Sequence, residues 1–165
     1  METNLAIRIR LFLLLVVYAL AFGGFTFYAA FVVPTGRRVL DPTTQGFVTR
    51  EVVPWLNYFA LATAVLFVVE IFLRRKSANR ISAFYFFPAA IIFVCFGGLV
   101  YIYPQMNALL DDEQMAVLDA ETFYGLHRVY LWASTFQWLS LVAIGWAISA
   151  NRKYRTENRT SDLTE

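Results

Sequence analysis

The polar residues whose side chains are best suited to proton transfer or ligand binding lie in the last apolar segment of the chain. His127, Ser134 and Gln137 are spaced by seven and three residues, which places them on one face of a helix. Histidine titrates near neutral pH, and serine and glutamine both donate and accept hydrogen bonds. Polar groups inside a membrane are costly unless paired or hydrated, so this face is expected to look into a helix bundle. Asn57 in the second apolar segment is the expected partner, and Arg128 extends the set.

Three interpretations of this set remain open. The residues form a hydrogen-bonded clasp between two helices, a site for a small polar ligand or a proton relay through His127, or a pocket in which His127 is the axial ligand of a haem. Because the chain has 1 His and 1 Cys, it offers no second axial histidine and too few ligands for a histidine-rich metal site. We therefore expect no metal and no cofactor, with haem as the alternative.

Composition excludes a soluble domain. Apolar residues make up 59% of the 165 residues and charged residues 16%, against roughly 45 to 50% and 25% in soluble domains. The formal net charge of +2 is too small to indicate a nucleic-acid partner. Cys95 has no second cysteine to pair with, so no intrachain disulfide can form.

Four apolar segments are each long enough to cross a bilayer, which requires about 20 residues per helix. We place the spans at about residues 9–33, 52–73, 81–103 and 127–149. The predicted fold is an all-α, polytopic membrane protein, an up-down bundle of four helices within residues 1–150. Residues 151–165 have little apolar content and are predicted to be a disordered tail.

Local patterns add detail to this scheme. Asp41-Pro42 has the form of a helix N-cap followed by proline, with one long helix from Thr43 that contains Pro54. Acidic residues 111–113 followed by apolar positions indicate a short amphipathic helix in the last loop. Gly24 and Gly98 are expected where helices approach closely, and Glu70 is expected to pair with Arg74.

Three stretches resemble an uncharacterised bacterial four-helix membrane family: residues 23–34, 45–57 and 126–134. That family is similar to the transmembrane protein 205-like proteins and, more remotely, to copper-resistance D-type membrane proteins. The resemblance implies a four-helix membrane fold over residues 7–150 and carries no assigned biochemical function. Copper chemistry does not transfer, because this chain has few His and Met ligands.

Lysine and arginine positions predict the orientation. Ten of the 14 lie before or at the start of the first span, between the second and third, or after the fourth, and the other four lie in the two remaining connections or at the start of the fourth span. Both termini are therefore expected in the cytoplasm, with the chain in the inner (plasma) membrane. Its partners are the lipid bilayer and, as alternatives, a second copy or another membrane protein. We expect a non-enzymatic membrane component; the alternative is a small haem-binding redox or transport protein.

This orientation predicts two labelling results. A reporter fused after Glu165 should behave as cytoplasmic, because positive residues are retained on that side of the membrane. A cysteine introduced at Asp112 should react with an impermeant thiol reagent added from outside. Labelling on the opposite sides would contradict the orientation.

Overall fold

The computed structural model describes residues 4–75, 83–111 and 113–161. Four helices in it are long and apolar enough to cross a membrane, which confirms the all-α polytopic fold. In chain order the elements are α1 (Asn4–Phe27), a π-helical segment (Tyr28–Val32), α2 (Val33–Val39), α3 (Pro42–Arg75), a 3-10 turn (Ala83–Phe86), α4 (Phe87–Asn107), β1 (Leu110–Asp111), β2 (Ala116–Val117) and α5 (Ala120–Ser161).

The helices pack mainly as two pairs. The most extensive contacts join α4 to α5 and α1 to α3, while α3 also contacts α4 and, across the bundle, α5. The core contains small side chains on α3 and larger ones on α4 and α5: Ala60, Ala64, Ile92, Leu141 and Ile144 are fully buried. We call the end of the bundle that carries the α2–α3 connection and the β-strands the hairpin end.

The first helix is longer than the predicted first span. It continues through Pro34 to Val39, with the π-helical segment directly before the proline. A proline removes one backbone hydrogen bond and crowds the carbonyl four residues earlier, and local π-helical widening is one way in which membrane helices accommodate it. The helix then ends at Leu40, whose backbone is extended and whose N–H donates to the Gly36 carbonyl at 2.7 Å.

The predicted N-cap of α3 is confirmed. The Asp41 carboxylate accepts hydrogen bonds from the backbone N–H groups of Thr43 and Thr44 at 2.9 and 3.0 Å. The Thr44 hydroxyl and backbone N–H hold the pKa of Asp41 below its usual range, since both stabilise the ionised form. From this cap, α3 runs without a break through Pro54 to Arg75, as predicted.

Pro54 has a specific consequence within α3. Proline lacks the N–H that would bond to the carbonyl four residues earlier, which here is that of Arg50. The Tyr103 hydroxyl on α4 donates to the Arg50 carbonyl at 3.4 Å. A side chain of a neighbouring helix thus satisfies the backbone group that the proline leaves unpaired.

The expected short amphipathic helix in the last loop is wrong. The loop forms a β-hairpin in which Leu110 pairs with Val117 and Asp111 with Ala116. The Asp111 carboxylate accepts from the backbone N–H groups of Glu113 and Gln114 at 2.9 and 3.0 Å, a local turn that competes with helix formation. Met115 takes a positive φ of 50° and directs the chain back. Acidic spacing alone did not reveal this turn.

The last helix also differs from the prediction. A disordered tail was expected from residue 151, whereas the backbone of α5 stays helical to Ser161. Arginine, lysine and glutamate in this stretch favour a helix, and extending an existing helix adds one hydrogen bond per residue. Residues 162–165 lie outside the described residues, as do residues 81 and 82 at the predicted start of the third span.

The outer surface of the bundle is apolar. Val94 on α4 and Trp146 on α5 are 76% and 78% exposed, and large apolar side chains are exposed along every long helix. Such a continuous apolar surface is unfavourable in water and is expected of helices surrounded by lipid. Lipid is therefore the natural surrounding of these helices.

Gly24 on α1 and Gly98 on α4 have different surroundings. A Cβ added at Gly24 would lie 2.8 Å from Cδ2 of the buried Leu56 on α3, whereas a Cβ at Gly98 would meet nothing within 4 Å. The expectation of close packing therefore holds for Gly24 and is wrong for Gly98, which lies on an exposed part of α4.

This difference gives a matched pair of substitutions. Gly24→Leu should lower the folded yield and the melting temperature in detergent, because the isobutyl group must displace Leu56 and separate α1 from α3. Gly98→Leu should leave both values close to those of the parent protein. Equal losses in the two variants would contradict the packing difference.

Candidate functional site

A buried hydrogen bond joins α3 to α5. Asn57 Nδ2 donates to the Tyr130 hydroxyl at 2.9 Å, and the two residues are 4% and 8% exposed. The bond joins the two helices between which a clasp was one of the three interpretations, and the partner of Asn57 is Tyr130. His127 and Gln137, which the sequence favoured, make no hydrogen bond to Asn57 in the part of the chain that the structure describes.

Three residues around this bond present polar atoms that no protein group satisfies. Gln137 is 0% exposed, and neither its amide nitrogen nor its amide oxygen has a hydrogen-bond partner. The same is true of the Ser134 hydroxyl and of Asn57 Oδ1, so that all four such atoms among the described residues belong to this set. We call Asn57, Tyr130, Ser134 and Gln137 the polar cluster. Its unpartnered atoms require an explanation, because buried polar groups are almost always hydrogen-bonded.

Two other buried hydroxyls, those of Thr63 and Ser140, are hydrogen-bonded within their own helices. The Thr63 hydroxyl donates to the Phe59 carbonyl at 2.9 Å, and the Ser140 hydroxyl donates to the Phe136 carbonyl at 2.8 Å. In both cases the side chain bonds to the carbonyl four residues earlier in its own helix. Ser134 does not use this bond, although it lies on the same helix as Ser140. Its hydroxyl therefore remains available to a partner from outside the helix.

His127 and Arg128 lie at the edge of this arrangement. The His127 ring is partly buried and stacks on Phe123 with centroids 5.9 Å apart. Arg128 is exposed, since it lies about 100° around the helix from His127 and on the far side from Gln137. The structure thus buries the Asn57 and Gln137 side chains and the Ser134 hydroxyl, and leaves Arg128 exposed.

Tyrosines complete the region towards the hairpin end. Tyr28 from the π-helical segment belongs to the same buried core as Tyr130, and Tyr103 from α4 packs against that core. The Tyr28 hydroxyl donates to the Thr49 hydroxyl at 2.9 Å. The buried Gln45 side-chain amide also donates to the Thr49 hydroxyl, at 3.4 Å. We call Tyr28, Gln45, Thr49 and Tyr103 the hairpin-end polar set. It continues the polar cluster towards the membrane surface.

Sequence reasoning missed these tyrosines for an identifiable reason. Tyrosine is common at membrane interfaces, so neither Tyr103 nor Tyr130 stands out in the sequence as a candidate for the site. The available signal for Tyr130 was its spacing, three residues after His127 and four before Ser134. For Tyr103 the signal was Pro54, whose missing N–H demands a donor from another helix.

Apolar residues follow the polar cluster on both α3 and α5 towards the end of the bundle opposite the hairpin end. Beyond Gln137 the next residues on that face of α5 are Leu141 and Ile144, and Ala60 and Ala64 follow Asn57 on α3; all four are fully buried. Tyr130 and Gln137 are separated by roughly 10 Å along the helix axis. On α5 the unpartnered polar atoms thus end at Gln137, beyond which Leu141 and Ile144 are apolar.

An ion pair closes the opposite end. Arg10 Nε on α1 lies 2.6 Å from Glu70 Oε2 on α3, and the Glu70 side chain is 7% exposed. The sequence predicted Arg74 as the partner, but the Arg74 side chain lies outside the described residues. An ion pair at this depth stabilises the contact of α1 with α3, because each charge would be costly if left unpaired in the membrane.

A separate groove of about 340 Å³ lies between α1 and α5, lined by Tyr18, Gly145 and Trp146 among others. No residue of the polar cluster lines it, and most of its lining residues are apolar. A Cβ at Gly145 would collide with the Tyr18 hydroxyl, so the glycine lets the tyrosine ring lie against α5. This groove is part of the helix packing and does not connect to the polar cluster.

A double-mutant cycle tests the clasp. Asn57→Leu, Tyr130→Phe and the double variant should give a coupling free energy of about 0.6 to 1.7 kcal/mol from unfolding in detergent, as is typical of interhelical hydrogen bonds in membranes. His127→Ala combined with Asn57→Leu serves as the control and should give additive losses. Coupling of Asn57 to His127 rather than to Tyr130 would contradict the observed partner.

Comparison with known proteins identifies a family without an assigned function. The chain matches no curated protein and no solved structure. Residues 16–114, more than half of the chain, match the family described as "Domain of unknown function (DUF4149)", which agrees with the expected uncharacterised family. The resemblance to transmembrane protein 205-like and copper-resistance D-type proteins stays a prediction. The chain belongs to the DUF4149 family.

Proposed function

We propose that this membrane protein binds a small polar molecule between α3 and α5, without catalysing a reaction. The proposal rests on one observation: the Gln137 side chain is fully buried in a membrane-spanning helix, and both its amide nitrogen and its amide oxygen lack a hydrogen-bond partner. Asn57 Oδ1 and the Ser134 hydroxyl lack partners in the same region. A molecule that enters there would satisfy groups that the protein leaves unsatisfied.

The energetics favour opening of this site. An unsatisfied buried donor or acceptor costs roughly 1 to 3 kcal/mol, because it loses its bonds to water and gains none. The four atoms have almost no area accessible to solvent, so a ligand reaches them only when α3 and α5 separate. Separation is favoured by the bonds that the ligand supplies, and the Asn57–Tyr130 bond opposes it. Ligand binding and helix separation are thereby coupled.

The packing of the bundle supports the same movement. Helices α1 and α3 form one closely packed pair and α4 and α5 the other. The ion pair of Arg10 with Glu70 strengthens the first pair. The polar cluster lies where α3 of one pair meets α5 of the other, and an opening there also has to loosen the contact of α3 with α4 and the hydrogen bond from Trp138 on α5 to Thr26 on α1.

The chemistry of the cluster fits binding rather than catalysis. Amide and hydroxyl groups orient a solute through hydrogen bonds, whereas bond-making catalysis generally uses a base, an acid or an activated nucleophile. The alternative function, a simple structural clasp, accounts for Asn57 and Tyr130. It leaves the Gln137 amide and the Ser134 hydroxyl without a role.

The proposal includes an orientation. With both termini in the cytoplasm, the hairpin end faces outward and the hairpin-end polar set lies between the outer surface and the polar cluster. The ten-to-four distribution of Lys and Arg supports this orientation. The apolar layer of Leu141 and Ile144 then separates the site from the cytoplasmic side.

Cysteine accessibility tests the opening. In a Cys95→Ala background, Ser134→Cys should react with an uncharged, membrane-permeable thiol reagent faster than Leu141→Cys, because only the first position borders the opening site. Leu141 is 0% exposed and lies seven residues further along the same face of α5, which makes it a matched control. We expect a rate ratio on the order of tenfold or more, which corresponds to a difference of roughly 1.4 kcal/mol between the opening free energies at the two positions.

Two results would contradict the proposal. Equal rates at the two positions would mean that the whole bundle fluctuates, and an unreactive Ser134→Cys in a folded protein would mean that the polar cluster is a static clasp. Folding of each variant is checked by its melting temperature before labelling.

A further inference from the structure

The unpartnered atoms of the polar cluster also restrict which molecule can bind there, on the basis of the function proposed above. We infer that the ligand is uncharged and carries both a hydrogen-bond donor and an acceptor, as a primary amide does. The inference rests on the hydrogen-bonding capacity of Asn57, Ser134 and Gln137 and on the surroundings of these side chains.

Gln137 provides the central argument. Its amide nitrogen is an unused donor and its amide oxygen an unused acceptor. Nitrogen and oxygen are easily exchanged when a side-chain amide is assigned, but here exchange leaves one unused donor and one unused acceptor in either orientation. A ligand that satisfies Gln137 must therefore both accept and donate.

The other groups have the same dual character. Asn57 Oδ1 is an unused acceptor, and the Ser134 hydroxyl can act in either role. The Tyr130 hydroxyl accepts the bond from Asn57, so its own proton is free to be donated to a ligand. The cluster as a whole thus offers donors and acceptors together and favours neither sign of charge.

The absence of charged side chains in the polar cluster disfavours an ionic ligand. None of the four residues of the polar cluster carries a formal charge, and an ion that enters the membrane interior without a counter-charge pays a large desolvation cost. An anion would leave the Asn57 and Gln137 oxygens unsatisfied, and a cation would face the Gln137 amide nitrogen. The nearby Arg50 guanidinium is bonded to Glu51 at 3.2 Å and lies 4.9 Å from the centre of the Phe47 ring.

Size is limited by the neighbours of the cluster. Ala60 and Ala64 follow Asn57 on the inward face of α3, and Leu141 follows Gln137 on α5; all three are fully buried. Only the region between these residues and Tyr130 is lined by polar groups, over roughly two turns of helix. A ligand with few non-hydrogen atoms fits this length. The apolar Leu141 side chain borders the region on α5.

Three small probes test the inference, and methylammonium, the smallest of them, is not excluded by its size. Acetamide is neutral with a donor and an acceptor, acetate is an anion with acceptors only, and methylammonium is a cation with donors only. Acetamide should slow the labelling of Ser134→Cys saturably, roughly tenfold at about ten times its dissociation constant, since only unliganded protein reacts. Acetate and methylammonium at matched ionic strength should leave the rate unchanged.

A second measurement uses the unmodified Ser134. Acetamide should raise the melting temperature of the parent protein in a saturable way and should have no such effect on Gln137→Met, which keeps the side-chain length but lacks the amide. Ser140→Ala is the matched control and should keep the full response, because the Ser140 hydroxyl is already bonded to Phe136. Retained stabilisation in Gln137→Met would overturn the role of the amide.

The outcomes separate this inference from the proposed function. If Ser134→Cys is reactive and acetate or methylammonium protects it as well as acetamide does, the site opens but the ligand class is wrong. Water shares the donor and acceptor capacity of an amide, so a reactive cysteine without protection by acetamide would mean that the site takes water alone, and this also overturns the inference. An unreactive Ser134→Cys overturns the proposed function and this inference together.

Discussion

The hydrocarbon interior of a membrane offers no water to a polar group, so every such group inside this bundle depends on another part of the protein. Thr63 and Ser140 bond to carbonyls of their own helices, and the carbonyl freed by Pro54 accepts a bond from Tyr103. Each of these solutions fixes a local part of the packing. The remaining polar atoms, on Asn57, Ser134 and Gln137, stand out because the same constraint applies to them and no protein group meets it.

The placement of strong and weak contacts gives the bundle two parts. A buried ion pair and close packing at Gly24 hold α1 against α3. Across the bundle, α3 meets α5 through the single hydrogen bond of Asn57 with Tyr130. In lipid, helices are held together by packing and by such bonds, since the hydrophobic effect does not favour one apolar surface over another. The region of unpartnered groups therefore coincides with a contact that is less extensive than those within the two pairs.

Much of the fold could be predicted because it depends on long or local patterns. Four spans follow from hydropathy over about 20 residues, and the cap at Asp41 follows from a side chain that reaches its own backbone. The inward face of α5 follows from the spacing of Ser134 and Gln137. The hairpin after α4 was missed, because acidic residues suit both a helix and a turn and the outcome depended on Asp111 bonding to the backbone ahead of it.

The sequence by itself determined the number of membrane-spanning helices and the face of α5 that carries polar groups. Only the tertiary structure decided which residues meet: Tyr130 rather than His127 beside Asn57, Arg10 beside Glu70, and Leu56 beside Gly24 while Gly98 faces outward. The physical reason is that helical periodicity fixes the direction of a side chain relative to its own axis. It does not fix the rotation of each helix about that axis or its depth relative to its neighbours, which depend on how all four helices pack together.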